Sequence, residues 1–309
     1  MASWNNAPRL LQIAASQQGG NLGAMLRGIA DDYTLTTCYQ KTPGGAWTNW
    51  SGSPPPPSKA VQVTIAQQND GRCQAWVIDG RGSLWSSSQD TPGSIFWTPF
   101  SNGNPNWNNG PLVDTIAAVQ QGGARGAQFW GIGPKDVLVT TYQETPGGNW
   151  SSWSTTSFMG APPAIAVAGA QQNNGNVGLW MLDQKQQLWF TSQTSPGGNW
   201  QNWSGPNWNN APKLQMMAAA QQGGSRGAQL WGIDQDGLIN TTYQETPGGS
   251  WSGWVGSGWS GTGAGPQAIQ LAAAQQNNGC VQLWAIDPNR NLHTITQQSP
   301  GGNWNAWQP

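Results

Sequence analysis

Three short linkers carry the side chains best suited to binding chemistry. In each, a tryptophan is followed by two asparagines, and two aspartates lie in turns expected on the same rim of the fold. An exposed indole offers a flat apolar face, while amides and carboxylates bind hydroxyls, so this combination favours a carbohydrate site. A structural clasp between repeats is the alternative, and periodicity does not separate the two. The candidate binding residues are Trp4, Asn6, Trp107, Asn109, Trp208, Asn210, Asp136 and Asp234.

Residues that could perform catalysis are scarce. The chain has one histidine, His293, and two glutamates, Glu144 and Glu245, at equivalent places in different repeats. A glycosidase needs two carboxyl groups roughly 5–10 Å apart across one bond, which residues a third of a ring apart do not provide. Neither a Gly-x-Ser-x-Gly elbow nor an Asp-x-Asp-x-Asp-Gly calcium loop occurs. We therefore expect a non-catalytic protein with no cofactor and no metal.

The chain consists of six similar repeats, each of roughly 50 residues, a period typical of propeller blades and solenoid units. A Gln-Gln pair marks each repeat, and a Thr/Ser-Pro-Gly-Gly-x-Trp turn follows it. The second repeat has a looser turn, Pro92-Gly93-Ser94, before Trp97. The pairs begin at Gln17, Gln67, Gln120, Gln171, Gln221 and Gln275.

Each repeat is predicted to form four short strands. In the fifth repeat these cover residues 213–221, 228–234, 238–244 and 251–255, separated by Gly, Pro, Asn and Asp turns. The first strand is rich in alanine, which suits the crowded axis of a ring. Because a lone sheet cannot bury both faces, we predict one all-β domain, a six-bladed β-propeller of four-stranded antiparallel blades. The predicted blades are residues 9–58, 59–111, 112–162, 163–212, 213–266 and 267–309, with residues 1–8 closing the ring.

Odd and even repeats differ, which predicts pseudo-threefold symmetry. Odd repeats carry Gln-Gln-Gly-Gly and a tyrosine that ends the third strand, whereas even repeats carry Gln-Gln-Asn and Trp85, Trp189 or His293 on that strand. The Trp-Asn-Asn linker is expected after even repeats only. The last repeat lacks it, and the N-terminal segment supplies it. The repeating unit is therefore predicted to be a double blade, used three times.

Aromatic residues recur at fixed positions in the strands as well. A tryptophan lies on the second strand of every repeat except the first, which has Arg27, and a Trp-x-x-Trp pair brackets the fourth strand of most repeats. Large aromatics repeated in every blade are expected to pack blade against blade. On the opposite rim, Arg125 and Arg226 occupy equivalent loop positions, where the first repeat has Leu22. These arginines could stack on a sugar or simply be solvated, and the sequence does not decide between the two.

The composition of the chain excludes some classes of binding partner. Only 8% of the residues are charged and the net charge is −1, which gives no electrostatic footprint for nucleic acid. Long apolar runs are missing, so no membrane insertion is expected. No signal peptide is recognisable at the start, which predicts synthesis in the cytoplasm and leaves open a later release to the outside. Cys38, Cys73 and Cys280 have no metal or disulfide spacing and are expected to be small packing residues. Assembly into a homo-oligomer is left open.

The segment from Tyr243 to Trp254, Tyr-Gln-Glu-Thr-Pro-Gly-Gly-Ser-Trp-Ser-Gly-Trp, preceded by Leu230-Trp-Gly-Ile-Asp234, resembles the repeat of the Photorhabdus-type fucose-binding lectins. More broadly it is similar to the tectonin-like propeller lectins. This resemblance implies sugar binding in clefts between adjacent blades, with glycans or glycoconjugates as partners. We expect a multivalent lectin for neutral glycans, fucosylated or O-methylated ones among them. A protein-interaction propeller or a structural scaffold is the alternative.

Overall fold

The protein is described here by a computed structural model, which covers residues 3–53, 58–102, 110–154, 157–256 and 265–309. Within these ranges the chain forms β-strands and short 3-10 turns. None of the helical segments in them has the length and apolar character needed to cross a membrane. All three cysteines are buried free thiols, so they are the packing residues that their spacing predicts.

Each repeat folds into one antiparallel sheet in which consecutive strands are neighbours. The first sheet comprises β1 Leu10–Gln17, β2 Ala24–Ala30, β3 Leu35–Tyr39 and β4 Ser51–Gly52; the second, β5 Ala60–Gln67, β6 Cys73–Asp79 and β7 Leu84–Ser88; the third, β8 Thr115–Gln120, β9 Ala127–Gly133 and β10 Val137–Tyr142. The fourth comprises β11 Ala164–Gln171, β12 Val177–Asp183 and β13 Leu188–Ser192; the fifth, β14 Leu214–Gln221, β15 Ala228–Asp234 and β16 Ile239–Tyr243; the sixth, β17 Gln270–Gln275, β18 Val281–Ile286 and β19 Leu292–Thr296.

The first strands of the six sheets form a ring around an axial channel. Each first strand contacts the first strand of the next sheet, and β17 of the sixth sheet contacts β1. The channel, about 370 Å³ in volume, is lined by all six of these strands. Small residues such as Ala118, Gly169 and Ala273 face it, because six strands converge there and leave little room. The alanine-rich runs are therefore innermost, as predicted.

Within the described ranges, four strands per blade is correct for the first sheet only. In the other five, the fourth segment touches the third strand at isolated bridges, for example Thr140 with Ser154 and Gln143 with Trp150. Between these bridges a hydroxyl takes the place of a backbone partner: the Tyr142 N–H donates to Ser151 Oγ at 3.1 Å. The same substitution occurs at Thr48, Thr98 and Ser252. A side chain that accepts the strand's hydrogen bond interrupts the ladder locally. In the first sheet, which has this bond at Thr48, backbone pairing resumes beyond it, at Thr36 with Gly52 and Thr37 with Ser51.

Neighbouring sheets are joined by tryptophan pairs. The second-strand tryptophan of one sheet meets, edge to face, the tryptophan that follows the Pro-Gly-Gly turn of the next. The ring centroids lie 5.6 Å apart for Trp284 and Trp47, 5.7 Å for Trp76 and Trp150, 5.7 Å for Trp130 and Trp200, 5.5 Å for Trp180 and Trp251, and 5.9 Å for Trp231 and Trp304. All five second-strand tryptophans are fully buried. They are core residues, as their recurrence predicts.

Arg27 replaces the tryptophan at the sixth interface, between the first and second sheets. Its guanidinium carbon lies 3.7 Å from the centroid of the Trp97 ring, and the residue is 1% exposed. Nε and Nη1 find no hydrogen-bond partner among the described residues. Burial lowers the pKa of Arg27 to about 10, because the charged form loses its hydration. The cation lies against the Trp97 ring, with the centroid of the Phe100 ring 5.8 Å away, at a place where other interfaces have an indole.

The interfaces between sheets alternate in their polar contacts. Where an odd sheet meets the following even one, a glutamine side chain of the even sheet donates to the second glutamine of the odd sheet's Gln-Gln pair. These bonds join Gln89 to Gln18 at 3.1 Å, Gln193 to Gln121 at 2.8 Å and Gln297 to Gln222 at 2.8 Å. All six side chains are buried, so each bond gives a partner to one donor and one acceptor that are removed from water. The Nε2 atoms of Gln18, Gln121 and Gln222 have no hydrogen-bond partner among the described residues.

The other three interfaces use an asparagine instead. The asparagine after each even Gln-Gln pair donates to backbone carbonyls in the loop of the next odd sheet. Asn69 bonds to Gly123 O at 3.4 Å, Asn173 to Gln222 O at 2.6 Å and Asn277 to Gln18 O at 2.8 Å. Two interface types in strict alternation confirm the predicted double unit, since each pair of sheets repeats the same two contacts three times around the ring.

We expect Trp231→Ala to lower the free energy of unfolding by about 3–5 kcal/mol, because the truncation leaves a cavity between the fifth and sixth sheets. Urea denaturation followed by tryptophan fluorescence measures it. Ile95→Ala is the control: Ile95 is 62% exposed, so its loss should change the stability by no more than about 0.5 kcal/mol. Equal effects of the two substitutions would contradict a packing role for Trp231.

We expect Arg27→Trp to raise the free energy of unfolding by about 1–4 kcal/mol, because an unpaired buried cation is replaced by the ring that the equivalent interfaces carry. Thermal unfolding monitored by calorimetry tests this. Arg27→Ala, which removes the charge and leaves a cavity, separates the two contributions. A lower stability for Arg27→Trp would mean that the contact of Arg27 with Trp97 outweighs the cost of its burial.

Candidate functional site

The linkers form short 3-10 turns that project between neighbouring sheets. Three are described: Trp4–Asn6, Phe158–Gly160 and Trp208–Asn210. The middle residue of each is in the left-handed region, with φ of 52° at Asn5, 53° at Met159 and 56° at Asn209, and the third residue has positive φ as well. Asparagine and glycine tolerate this conformation, which explains the Asn-Asn sequence.

The Phe158–Gly160 turn corrects one prediction. A linker was expected after even repeats only, yet this one joins the third sheet to the fourth. The Phe-Met-Gly sequence conceals it, since it lacks the Trp-Asn-Asn signature. The Ala161-Pro162 that follows, like Ala7-Pro8 and Ala211-Pro212, was the signal that could have revealed it. The linker turns are therefore not restricted to the position after even sheets, whereas the polar contacts between sheets alternate strictly between odd and even.

The linker aromatics pack between the sheets. Trp208 lies 4.7 Å from the Phe190 ring and 5.0 Å from the Trp251 ring, measured between centroids. Trp4 lies 5.1 Å from Trp47, and Phe158 lies 5.3 Å from Trp200. Trp4 and Trp208 remain half-buried, so part of each indole faces solvent. The clasp that periodicity left open as an alternative is present, and it leaves some aromatic surface uncovered.

In the two described Trp-Asn-Asn linkers, the side chain of the first asparagine hydrogen-bonds to the following sheet, whereas that of the second has no hydrogen bond to a described residue. Asn5 Nδ2 donates to Thr48 O at 2.9 Å, and Asn209 Nδ2 donates to Ser252 O at 2.9 Å, so both tie the linker to the outer segment of the following sheet. Asn6 and Asn210, the predicted site residues, are exposed. Their amides are therefore accessible beside the clasp. Trp107 and Asn109 lie outside the described residues.

The two predicted aspartates are not equivalent. Asp234 ends β15, and the corresponding residue of the third sheet is Gly133. Its Oδ1 accepts the N–H groups of Asp236 at 3.0 Å and Leu238 at 2.9 Å, and Oδ2 accepts Asn240 Nδ2 at 2.8 Å. Asp136 lies three residues further on, within a turn, where its Oδ2 accepts Gln184 Nε2 of the fourth sheet at 2.6 Å. The described contacts join neither aspartate to a linker tryptophan.

Even sheets use the same aspartate to orient a ring on the third strand. Asp79 accepts Trp85 Nε1 at 3.2 Å, Asp183 accepts Trp189 Nε1 at 3.0 Å, and Asp287 lies 3.0 Å from His293 Nε2. Burial pushes the pKa of Asp79 and Asp287 upward, but the hydrogen bonds they accept outweigh it and hold both below the ordinary range. These carboxylates are turn-forming groups, and His293 takes the place of a tryptophan.

The accessible chemistry of the linker region is thus aromatic and neutral. Between the fourth and fifth sheets it comprises the half-buried rings of Trp208, Trp251 and Trp254 with the amides of Asn209 and Asn210. Within the described ranges, no three His, Cys, Asp or Glu side chains come together as a metal site would require. Such a surface can stack on the C–H face of a sugar and bond to its hydroxyls.

The backbone is similar to those of several solved lectins. AofleA from Arthrobotrys oligospora matches with a TM-score of 0.71 and 15% identity over 97% of this chain and 87% of that one. The lectin of Aleuria aurantia, described as a six-bladed β-propeller with a novel fucose recognition mode, matches with a TM-score of 0.69 and 14% identity over 98% of both chains. BP39L from Burkholderia pseudomallei matches with a TM-score of 0.61 and 18% identity over 95% and 82%.

Identities this low establish the fold and nothing further. The all-β ring of six sheets is that of the six-bladed propellers. In sequence, neither a family model nor a curated protein matches the chain.

We expect Asp234→Ala to lower the free energy of unfolding by about 1–3 kcal/mol, because two turn N–H groups and the Asn240 amide lose their acceptor. Asp136→Ala, the matched control, removes a single bond to the exposed Gln184 and should cost no more than about 0.5 kcal/mol. Urea denaturation of both variants gives the comparison. Similar losses would mean that the two aspartates have equivalent roles after all.

Proposed function

We propose that the protein is a non-catalytic lectin that binds neutral glycans at several equivalent clefts between adjacent sheets. The observation that carries this proposal is the half-buried linker tryptophan with an exposed amide beside it, present in both described Trp-Asn-Asn linkers. Trp4 with Asn6 and Trp208 with Asn210 are two such sites. We assign a third site to Trp107 with Asn109 from the sequence, since these residues lie outside the described ranges.

The surface chemistry supports a neutral ligand. Charged residues make up 8% of the chain, and the linkers offer indole faces and amides, which suit C–H faces and hydroxyls rather than ionic groups. Asp234 belongs to the proposal as a group that shapes its turn and Asp136 as a contact between the third and fourth sheets, and hydroxyl binding is assigned to the asparagines. The weak affinity expected of one shallow cleft is offset by having several on one rigid ring.

The solved neighbours point to the class of sugar. The Aleuria aurantia lectin is fucose-specific, and SapL1 was solved in complex with α-methyl fucoside. Fucose and O-methylated sugars present methyl groups that pack well on an indole face. We therefore place fucosylated and O-methylated glycans first among the ligands of this chain.

A glycan array that includes fucosylated, O-methylated and N-acetylated sugars tests the proposal, and calorimetry with the best ligand counts the sites. A lectin of this type binds about three or six monosaccharides per chain, weakly one at a time and strongly on a multivalent surface. One site per chain would favour a protein-interaction propeller. Absence of binding under multivalent display would favour a structural scaffold.

Two substitutions of Trp208 separate its packing from its binding role. Trp208→Phe should retain the fold, because Phe158 fills the equivalent position in another linker. It should weaken glycan binding at that cleft severalfold, since the smaller ring offers less surface to the sugar. Trp208→Ala should also lower the free energy of unfolding by about 2–4 kcal/mol, because the contacts with Phe190 and Trp251 are lost.

Calorimetric titration and thermal unfolding of both variants give the two readouts. Trp208→Phe with unchanged glycan binding would reduce Trp208 to a clasp and remove it from the site.

A further inference from the structure

Two arginine–tyrosine pairs lie in the Gln-Gln loop region, apart from the linkers. The guanidinium carbon of Arg125 is 4.2 Å from the centroid of the Tyr142 ring, and that of Arg226 is 4.1 Å from the centroid of the Tyr243 ring. Each arginine comes from the loop after the Gln-Gln pair, and each tyrosine ends the third strand of the same sheet. The two pairs are therefore repeats of one arrangement, in the third and fifth sheets.

The arginine-bearing loops are held from both sides. The loop of the third sheet accepts a hydrogen bond from Asn69 of the second sheet, and its Gly122 N–H donates to Gly175 O of the fourth at 3.2 Å. The aliphatic stem of Arg125 lies against Gly197, where a β-carbon would come within 3.4 Å of Cδ. Arg226 lies against Gly301 in the same way. Each guanidinium is thus positioned before any ligand arrives.

Both arginines are left without an anionic partner. Neither guanidinium lies within 4.0 Å of a carboxylate or forms a hydrogen bond with another residue in the described ranges, although both side chains are half-buried. Glu144 and Glu245, two residues beyond the tyrosines, are exposed. Stacking on a ring occupies the face of a guanidinium and leaves its N–H edge free. That edge is the geometric complement of a carboxylate.

A hydroxyl accompanies each arginine. Neither Tyr142 Oη nor Tyr243 Oη hydrogen-bonds to another described residue, and both tyrosines are half-buried. A fixed guanidinium edge and a free phenol at one place match a ligand that carries a carboxylate and hydroxyls together. We propose that Arg125 with Tyr142 and Arg226 with Tyr243 form two equivalent sites for a carboxylate-bearing sugar such as a uronic acid. The sugar class rests on the proposed function, whereas the anion class rests on the arginines themselves.

The first sheet provides a natural counterpart. Its loop has the same length and the same anchors, with Gly19 N–H donating to Gly71 O at 3.0 Å and Asn277 bonding to Gln18 O at 2.8 Å. Tyr39 ends its third strand, but Leu22 takes the place of the arginine, with Gly93 against it. This third position therefore has the scaffold of the site and lacks its cation. The protein is expected to bind two acidic sugars per chain.

Arginine side-chain NMR tests the proposal on the full chain. Methyl β-D-glucuronide should shift the Nε–Hε signals of Arg125 and Arg226, which the variants Arg125→Leu and Arg226→Leu identify by their disappearance. Methyl β-D-glucoside, which has a hydroxymethyl group in place of the carboxylate, and acetate, which has no hydroxyls, should each bind at least about tenfold more weakly. Binding of the glucuronide should weaken as salt is added.

Four results would overturn or support the proposal. No shift with any probe would overturn it, and acetate equal to the glucuronide would overturn its sugar class in favour of a simple anion site. A glucuronide that still binds to the double leucine variant would also overturn it. Leu22→Arg should raise the number of sites from two to three, a gain that damage to the fold could not produce.

The double leucine variant also separates this inference from the proposed function. It should retain its binding of neutral glycans on the array while losing the glucuronide. A chain that fails on every neutral glycan but shows the arginine shifts would refute the neutral lectin and leave the acidic-sugar sites standing.

Discussion

The edge-to-face contact between tryptophans of neighbouring sheets is the interaction on which the ring depends. A three-stranded sheet has two faces to bury, and each can be covered only by the next sheet on either side. Trp76, Trp130 and their equivalents cover one face, and the tryptophan after each Pro-Gly-Gly turn meets them from the other. Such pairs add about 0.5–1.5 kcal/mol each beyond the apolar area they bury. The contact recurs at five of the six interfaces, and at the sixth Arg27 stacks on Trp97 in its place, so each sheet packs against the one before and the one after it.

Packing alone does not set the order of the sheets, and the buried polar groups do more of that. The odd-to-even interfaces pair glutamine with glutamine, whereas the even-to-odd interfaces direct asparagines to backbone carbonyls. A shift by one sheet would place the buried glutamine amides opposite the wrong partners and leave them unsatisfied, at a cost of about 1–3 kcal/mol each. The alternation therefore favours one closed arrangement. It also explains why the loops that carry Arg125 and Arg226 are rigid, since the same asparagines anchor them.

The sequence predicted those features that every repeat shares, and it failed where a backbone demand was met by different residues. Six sheets, the inner alanine strands and the packing role of Trp231 all follow from periodicity. The fourth strand was wrong for most sheets because the hydrophobic pattern does not reveal that the fourth segment pairs with the third strand only at isolated bridges. The Phe158 turn was missed because Met159-Gly160 satisfies the same positive φ as Asn-Asn. Asp136 and Asp234 looked alike because sequence does not reveal which residue of a turn accepts its N–H groups.

Three departures from symmetry lie at one interface, between the first and second sheets. Arg27 replaces the buried indole there, Leu22 replaces the loop arginine, and the following turn carries the exposed Ile95 and Phe96. The other odd-to-even interfaces have an apolar core and a cationic rim. At this interface the two are reversed, with a cation in the core and apolar side chains at the rim. Packing does not require the two changes to occur together, since one lies in the core and the other in the rim loops. Their occurrence at the same interface fits a ring with two matched rim sites and a third rim position of different chemistry. The number of ligands bound on that rim is then not simply the number of repeats.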